Sequence, residues 1–305
     1  MKPPTPPFLS PGRRRGFAAA ALVLLSALAA PLHAQAPPFD ITDGRGRTLR
    51  FERPPQRIVS LLPSLTESVC ALDQCDRLVG IDRYSNFPES VRHLPQLGGG
   101  IDPNIEAIVA LRPDVVLLAV SSRASDRLEA LGIRVVALEP KTHADVRRVL
   151  DTLGRLLQVP GDAASRVWRV IDAGVQAAAQ SVPRRARPTR VYFEVSRGPY
   201  AAGASSFIGE TLVRLGAQNV VPPDLGPFPR LNPEYVVRAN PDLIMVGNRS
   251  MQAMVPYPGW QSMRAIREQR ICVFGPDEAD VVVRPGPRMA DAARIMARCL
   301  AQKAP

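Results

Sequence analysis

Histidine is almost missing from this chain. There are three in 305 residues, His33, His93 and His143, and no two of them stand at the spacing that a zinc site uses. That pattern argues against a carrier or enzyme built around zinc or manganese, and no metal ligands are expected. Aromatic residues are also thin, at 5%, which leaves few stacking platforms for nucleic acid. The basic excess, a net +11 at pH 7, is scattered except for "PRRARPTR" at residues 183–190. It reads as a solvated arginine-rich surface. No apolar run reaches the roughly 20 residues of a membrane-spanning helix. No cysteine precedes Cys70, so a lipid-anchored N-terminus is not expected. "GASSF" at Gly203 is not a GxSxG nucleophile elbow, and Cys70 and Cys75 lack CxxC spacing. Hydrolytic and thiol-redox chemistry both lack their usual marks.

Several features stand against these absences. Lys2, Arg13, Arg14 and Arg15 precede an apolar run from Phe17 to Ala30, followed by small residues at Ala34 and Ala36. This is a secretory signal sequence over residues 1–34, with cleavage after Ala34. Arg14-Arg15-Gly16-Phe17 partly matches a twin-arginine signal, and the sequence leaves both export routes open. Four cysteines in an exported chain suggest two disulfides, with three pairings available. Cys70 and Cys75 flank the end of one predicted helix, Cys272 lies in a strand and Cys299 in the last helix. The favoured set is Cys70 with Cys75 and Cys272 with Cys299, although the first two fit free thiols equally well.

The chain also writes one phrase twice. "NIEAIVALRPDVVLL" from Asn104 and "NPEYVVRANPDLIMV" from Asn232 align without a gap, sharing Asn, Glu106 with Glu234, Val, and the Pro-Asp pairs at 113–114 and 241–242. Asn is a good N-cap, and Pro233 suits the first helical position. A short helix follows. Proline then disfavours helix in the residue before it, and an apolar run after Asp suits a strand buried on both faces. Helix, tight turn and buried strand thus recur in both halves.

Length and a 46% hydrophobic content predict about two domains. After residue 55, apolar runs suited to strands (58–62, 78–81, 115–119 and 135–138, then 191–195, 243–246 and 271–274) alternate with helical segments, which favours parallel sheets. Between the halves, Val167, Val170, Ile171, Gly174, Val175 and Ala178 recur along one helical stripe. One uninterrupted helix is predicted from about Asp162 to Ser181, ended by Pro183 and Pro188. The expected organisation is a signal sequence (1–34), a leading arm (35–55), an N-terminal α/β lobe (56–160), a connecting helix (161–182) and a C-terminal α/β lobe (183–305). The fold class is α/β: two similar Rossmann-like lobes with mainly parallel sheets, joined by one long backbone helix. A helix offers few torsions for hinge bending, so a cleft between the lobes should close only slightly.

"RIVSLLPSLTESVCALDQCDRLVGIDRYSNFP", "LGGGIDPNIEAIVALRPDVVLL", "LGIRVVAL" and "VYFEVSRGPYAAGASSFIGETLVRLGAQNVV" resemble the periplasmic cobalamin and iron-siderophore binding proteins of ABC importers. The similarity runs from about Arg57 to Leu300. It implies a monomeric periplasmic carrier, with no resident cofactor, that captures cobalamin or a related corrinoid between its lobes and hands it to a dimeric membrane permease. Haem or a ferric siderophore is the alternative cargo. The resemblance places Glu106 and Glu234 on the outer surface of each lobe as permease-docking residues; a carboxylate in a helix's first turn also simply complements the dipole. It places Tyr84, Tyr200 and Phe228 against the ligand, and Asp280 and Arg284 as hydrogen-bond partners of its peripheral groups, a structural ion pair being the competing reading. Some cobalamin-binding relatives carry tryptophan where this chain has Gly100, and both Trp168 and Trp260 lie elsewhere. Tyr84 or Tyr200 could serve haem iron as a tyrosinate ligand. Related bilobal folds serve chelatases, which use histidine and acids at the metal; no enzyme activity is expected here. Ser64 and Glu67 fit a capping box opening the helix after the first strand.

Overall fold

The structure, a computed structural model, describes residues 1–5, 37–247 and 257–305. The chain divides into two units, residues 1–37 and 38–305. The core and the cleavage region of the expected signal sequence lie outside the described residues.

The second unit opens with an antiparallel hairpin of β1 (Phe39–Thr42) and β2 (Thr48–Phe51). The sequence suggested only a leading arm here, because four-residue strands alternating with polar side chains give little signal. Ile41 and Phe51 nevertheless enter the core of the first sheet. Asp43 sets the turn by accepting the Arg45 and Arg47 amides, at 2.9 and 3.1 Å.

Then follow β3 (Ile58–Ser60), α1 (Pro63–Ala71), β4 (Leu78–Ile81), α2 (Ile105–Ala110), β5 (Val115–Leu118), α3 (Ala124–Ala130), β6 (Val135–Ala137) and α4 (His143–Leu157). The strands pair in the order β4-β3-β5-β6, all parallel. Val115 and Leu117 face one apolar cluster and Val116 and Leu118 the other, as a strand covered by helices on both sides requires.

Beyond α5 (Ala163–Ser181) come β7 (Arg190–Ser196), β8 (Tyr200–Ala201), α6 (Phe207–Arg214), β9 (Gln218–Asn219), α7 (Pro233–Ala239), β10 (Leu243–Val246), α8 (Arg264–Arg267), β11 (Ile271–Val273), α9 (Pro276–Val282) and α10 (Met289–Lys303). Here β9, β7, β10 and β11 pair in parallel, in that order, with β8 added antiparallel to β7. Both sheets therefore run second strand, first, third, fourth.

The doubled phrase occupies the same place in each. Asn104 caps α2 by accepting the Ala107 amide, and Asn232 caps α7 by accepting that of Glu234. Arg112 and Asn240 both turn left-handed, at φ 46° and 43°, before their prolines. The Asp114 carboxylate accepts the Arg57 amide at 2.9 Å, and the Asp242 carboxylate accepts that of Arg190 at 3.0 Å. Each of those arginines also donates to carbonyls at the end of the repeated helix, Leu111 O at 2.7 Å and Ala239 O at 2.7 Å. The repeat thus includes a helix C-terminus capped by the arginine that opens each first strand.

The connecting helix α5 is 19 residues long, roughly 28 Å at 1.5 Å per residue. Ala164 and Ile171 sit in the first lobe's core, while Val175, Ala178 and Ala179 sit in the second's. The predicted stripe is correct except at Val170, which is 72% exposed: no element among the described residues covers that flank. At Gly174 a Cβ would lie 2.5 Å from that of Ala290, so α10 approaches closely only because the side chain is absent. Both favoured cysteine pairings are present as disulfides.

The lobes also meet where α4 begins. Phe207 N donates to Lys141 O at 2.6 Å, and His143 N to a Glu210 carboxylate oxygen at 2.6 Å. Thr211 Oγ1 donates to Phe207 O, so the His143 Nε2 hydrogen is the donor to Thr211 Oγ1, at 2.8 Å. Nδ1 then carries no proton and faces the Arg214 guanidinium at 3.5 Å, which is itself paired with Asp172. Burial holds His143 below its ordinary value despite the opposing pull of Glu210 and Asp172. The unfolded chain therefore binds the extra proton, and stability contributed by this contact is intact above about pH 6.5 and lost as pH falls through that value. Urea midpoints at pH 7.5, 6.5 and 5.5 are expected to fall more steeply for the wild type than for His143→Gln, which keeps a donor but cannot titrate.

Candidate ligand cleft

In open α/β sheets, sites form in the loops beyond the carboxyl ends of the strands. After β4, the loop from Asp82 to Asn86 carries Tyr84, whose side chain leaves the residue 51% exposed. After β7, Tyr200 opens β8 and is 41% exposed. Neither phenol oxygen has a hydrogen-bond partner among the described residues. Phe228 is half-buried, with its ring 6.1 Å from that of Phe207. The segment carrying it runs beside Tyr200, since Ala201 N donates to Pro229 O at 3.0 Å and Leu231 N to Pro199 O at 3.0 Å. Tyr200 and Phe228 thus form one group. The loop tip at Gly100 and Ile101, the latter 98% exposed, is tethered by Ser122 Oγ donating to Gly100 O and by the Arg83–Asp102 pair.

Tyr84, Asp280 and Arg284 form the other group, and there the sequence reading missed the main partners. Glu67 accepts from Arg284 Nη1 at 3.0 Å and from Arg288 Nη2 at 2.6 Å and Nε at 2.9 Å. Asn86 Nδ2 donates to Asp280 at 2.8 Å, and its Oδ1 accepts from Arg284 at 2.8 Å. Arg288 also lies over the Phe87 ring, at 4.3 Å. Glu67 and Asn86 belong to the first lobe, and Asp280, Arg284 and Arg288 to the second, so this cluster spans the seam. Its charged side chains are 2% to 14% exposed.

The capping box expected of Ser64 and Glu67 is not formed. Helix α1 starts at Pro63 with Leu62 as its N-cap and no side-chain cap; proline takes the first helical position, and Glu67 is drawn to the two arginines. The Ser64 hydroxyl is buried without a partner among the described residues. Nearby Asp82 is 1% exposed, and burial pushes its carboxyl up, against the Ser85 hydroxyl, the Tyr84 amide and Arg284. On the other lobe Glu194, fully buried on β7 opposite Ala201, is pushed up by burial, against hydrogen bonds from the Tyr257 and Tyr192 hydroxyls at 2.9 and 3.4 Å.

Concavity alone does not choose the site. A cavity of about 350 Å³ lined by Thr42, Asp43, Leu138, Arg148 and Arg155 lies between the hairpin and α4, within one lobe. Among the described residues no three His, Cys, Asp or Glu side chains are placed to hold a metal ion.

Glu106 and Glu234 both lie in the first turn of their helices and are exposed. Glu234, with its side chain 77% exposed, lies 3.9 Å from Arg238.

The periplasmic binding protein family model matches residues 58–278. The chain belongs to that family. Among its relatives, an uncharacterized ABC transporter substrate-binding lipoprotein of Bacillus subtilis is 26% identical, over 86% of this chain and 85% of that one. A vitamin B12-binding protein of Pectobacterium atrosepticum is 26% identical, over 81% of this chain and 89% of its own. A periplasmic haem-binding protein of Roseiflexus shares the fold, with a TM-score of 0.70 at 24% identity, over 82% of this chain and 99% of that one. The sequence relatives thus include an ABC transporter substrate-binding protein and a vitamin B12-binding protein. No helix among the described residues is long and apolar enough to cross a membrane.

The seam cluster invites a direct test of its energetics. Glu67→Leu takes from Arg288 the carboxylate it pairs with and leaves Arg284 with Asp280, and a loss on the order of 3–5 kcal/mol is expected in denaturant unfolding. Breaking an exposed pair such as Arg264–Glu268 should leave the unfolding midpoint nearly unchanged.

Proposed function

We propose that this substrate-binding protein carries cobalamin or a related corrinoid through the periplasm to an ABC permease, as a monomer free of a lipid anchor and without enzymatic activity. The observation that carries the cargo reading is the pair of half-exposed tyrosines, one beyond the carboxyl ends of each sheet. Flat aromatic faces bury a corrin macrocycle with little side-chain entropy to lose, and such sites are mostly apolar with a few oriented polar groups. Phe228 extends the surface on the second lobe. The vitamin B12-binding relative supports the same cargo class. The export signal supports the compartment. The Bacillus relative is named a lipoprotein.

One observation favours haem as the second cargo. The Tyr84 and Tyr200 phenols are exposed and unpartnered among the described residues, and an accessible phenol can become a tyrosinate ligand of ferric haem. A ferric siderophore would use the same cleft.

Glu106 and Glu234 serve as the permease contacts. They occupy equivalent positions in a fold that repeats its strand order, which suits a partner made of two like subunits. Calorimetric titration with cyanocobalamin, cobinamide, haem and ferric siderophores is expected to give a micromolar or tighter complex with a corrinoid; binding of none of them would remove the cargo reading. Glu106→Arg combined with Glu234→Arg is expected to abolish transport while leaving ligand affinity unchanged. Undiminished uptake would contradict the docking assignment.

A further inference from the structure

A side chain that binds cargo must reach it, and Arg284 does not. Its side chain is 7% exposed, and four acceptor atoms surround its Nη nitrogens. Nη1 donates to Glu67 Oε1 at 3.0 Å and to Asn86 Oδ1 at 2.8 Å. Nη2 donates to Tyr84 O at 2.8 Å and forms an ion pair with Asp280 Oδ2 at 2.9 Å. Three of the guanidinium's five N–H donors are thus bonded within the protein, and burial withholds the group from a ligand.

Three of those four acceptors lie on the first lobe, and two of them, Tyr84 O and Asn86 Oδ1, belong to the loop that carries the exposed tyrosine. The same loop is held from its own side: Tyr84 N donates to Asp82 Oδ1 at 2.7 Å, Ser85 Oγ to Asp82 Oδ2 at 2.5 Å, and the Ser85 and Thr66 hydroxyls are 2.9 Å apart. Both backbone polar groups of Tyr84 are therefore fixed, while its ring stays half in solvent. Asn86 locks the arrangement by donating to Asp280 and accepting from Arg284. An exposed ring on an immobilised backbone has already met much of the ordering cost of binding.

We propose that Arg284 is a positioning residue for Tyr84: from the second lobe it fixes the first-lobe loop that presents the tyrosine to the cargo, and it does not touch the cargo itself. This rests on the reading that the Tyr84 ring meets the ligand. Direct contact and positioning differ in how Arg284 couples to Tyr84. If Arg284 acts through the ring, its replacement matters only while the ring is present.

The test uses the mature chain as wild type, Arg284→Lys, Tyr84→Ala and the double variant. Affinities for cyanocobalamin and for haem are measured by calorimetry, and amide hydrogen exchange is followed without ligand. Arg284→Lys is expected to weaken binding about tenfold, with no further weakening when added to Tyr84→Ala. Exchange at Tyr84 and Ser85 should accelerate at least about tenfold, with β4 unchanged. Asn86→Ala, which leaves every buried charge in place, should reproduce both effects if the lysine variant folds poorly. Losses that add in the double variant, or unchanged exchange in the loop, would overturn the proposal. A wild type that binds neither probe would sink the cargo reading instead, and the positioning claim would then be decided by the exchange data.

Discussion

One apolar stripe serves two cores. Helix α5 lays Ile171 into the first lobe and Val175, Ala178 and Ala179 into the second, so neither core is complete unless the helix is straight and fully formed. Everything between the lobes inherits that constraint. The spacing of the two sheets is set by side chains that cannot leave one core without opening the other, and α10 reinforces it by closing onto Gly174. Under the proposed function, lobes held this way suit a rigid planar cargo better than a small solute that must be enclosed.

The seam carries polar locks on either side of that helix. Glu67, Arg284, Arg288 and Asp280 exchange charge-assisted hydrogen bonds almost out of water, and a cluster of this kind contributes geometry more than net stability, because desolvation offsets much of the attraction. The His143 contact adds a second lock with a different logic: it requires a neutral ring, since the only unprotonated nitrogen faces a guanidinium.

Much of this was legible in the sequence. The seven apolar runs became seven strands of the two mainly parallel sheets, and helical spacing gave α5 to within a residue at its start, because those signals are local. The doubled phrase pointed to the repeated strand order, since Asn, Pro and Asp each have a fixed job at a helix start or a strand entry. What stayed hidden was not local. Glu67 lies 217 positions from Arg284, so its spacing to Ser64 was the only pattern on view, and that pattern suggested a cap that proline at 63 displaces. Val170 fell on the predicted stripe but found no neighbour, which helical periodicity alone cannot reveal. The β1–β2 hairpin and the two-residue strands β8 and β9 are too short to leave a periodic trace. For the candidate site, the tyrosines were read from resemblance and stand exposed, whereas Asp280 and Arg284 were assigned to the ligand and are found buried against each other.

The account turns on a gap that is built before the cargo arrives. Spin labels placed by noncanonical amino acids at Leu131 and Val213, both exposed at 59% and 57% on opposite lobes, would leave the disulfides intact and report the interlobe distance by pulsed electron resonance. A single narrow distance that shifts by no more than about 1–2 Å on saturation with ligand is expected. A broad distribution without ligand that collapses to a much shorter distance on binding would contradict it.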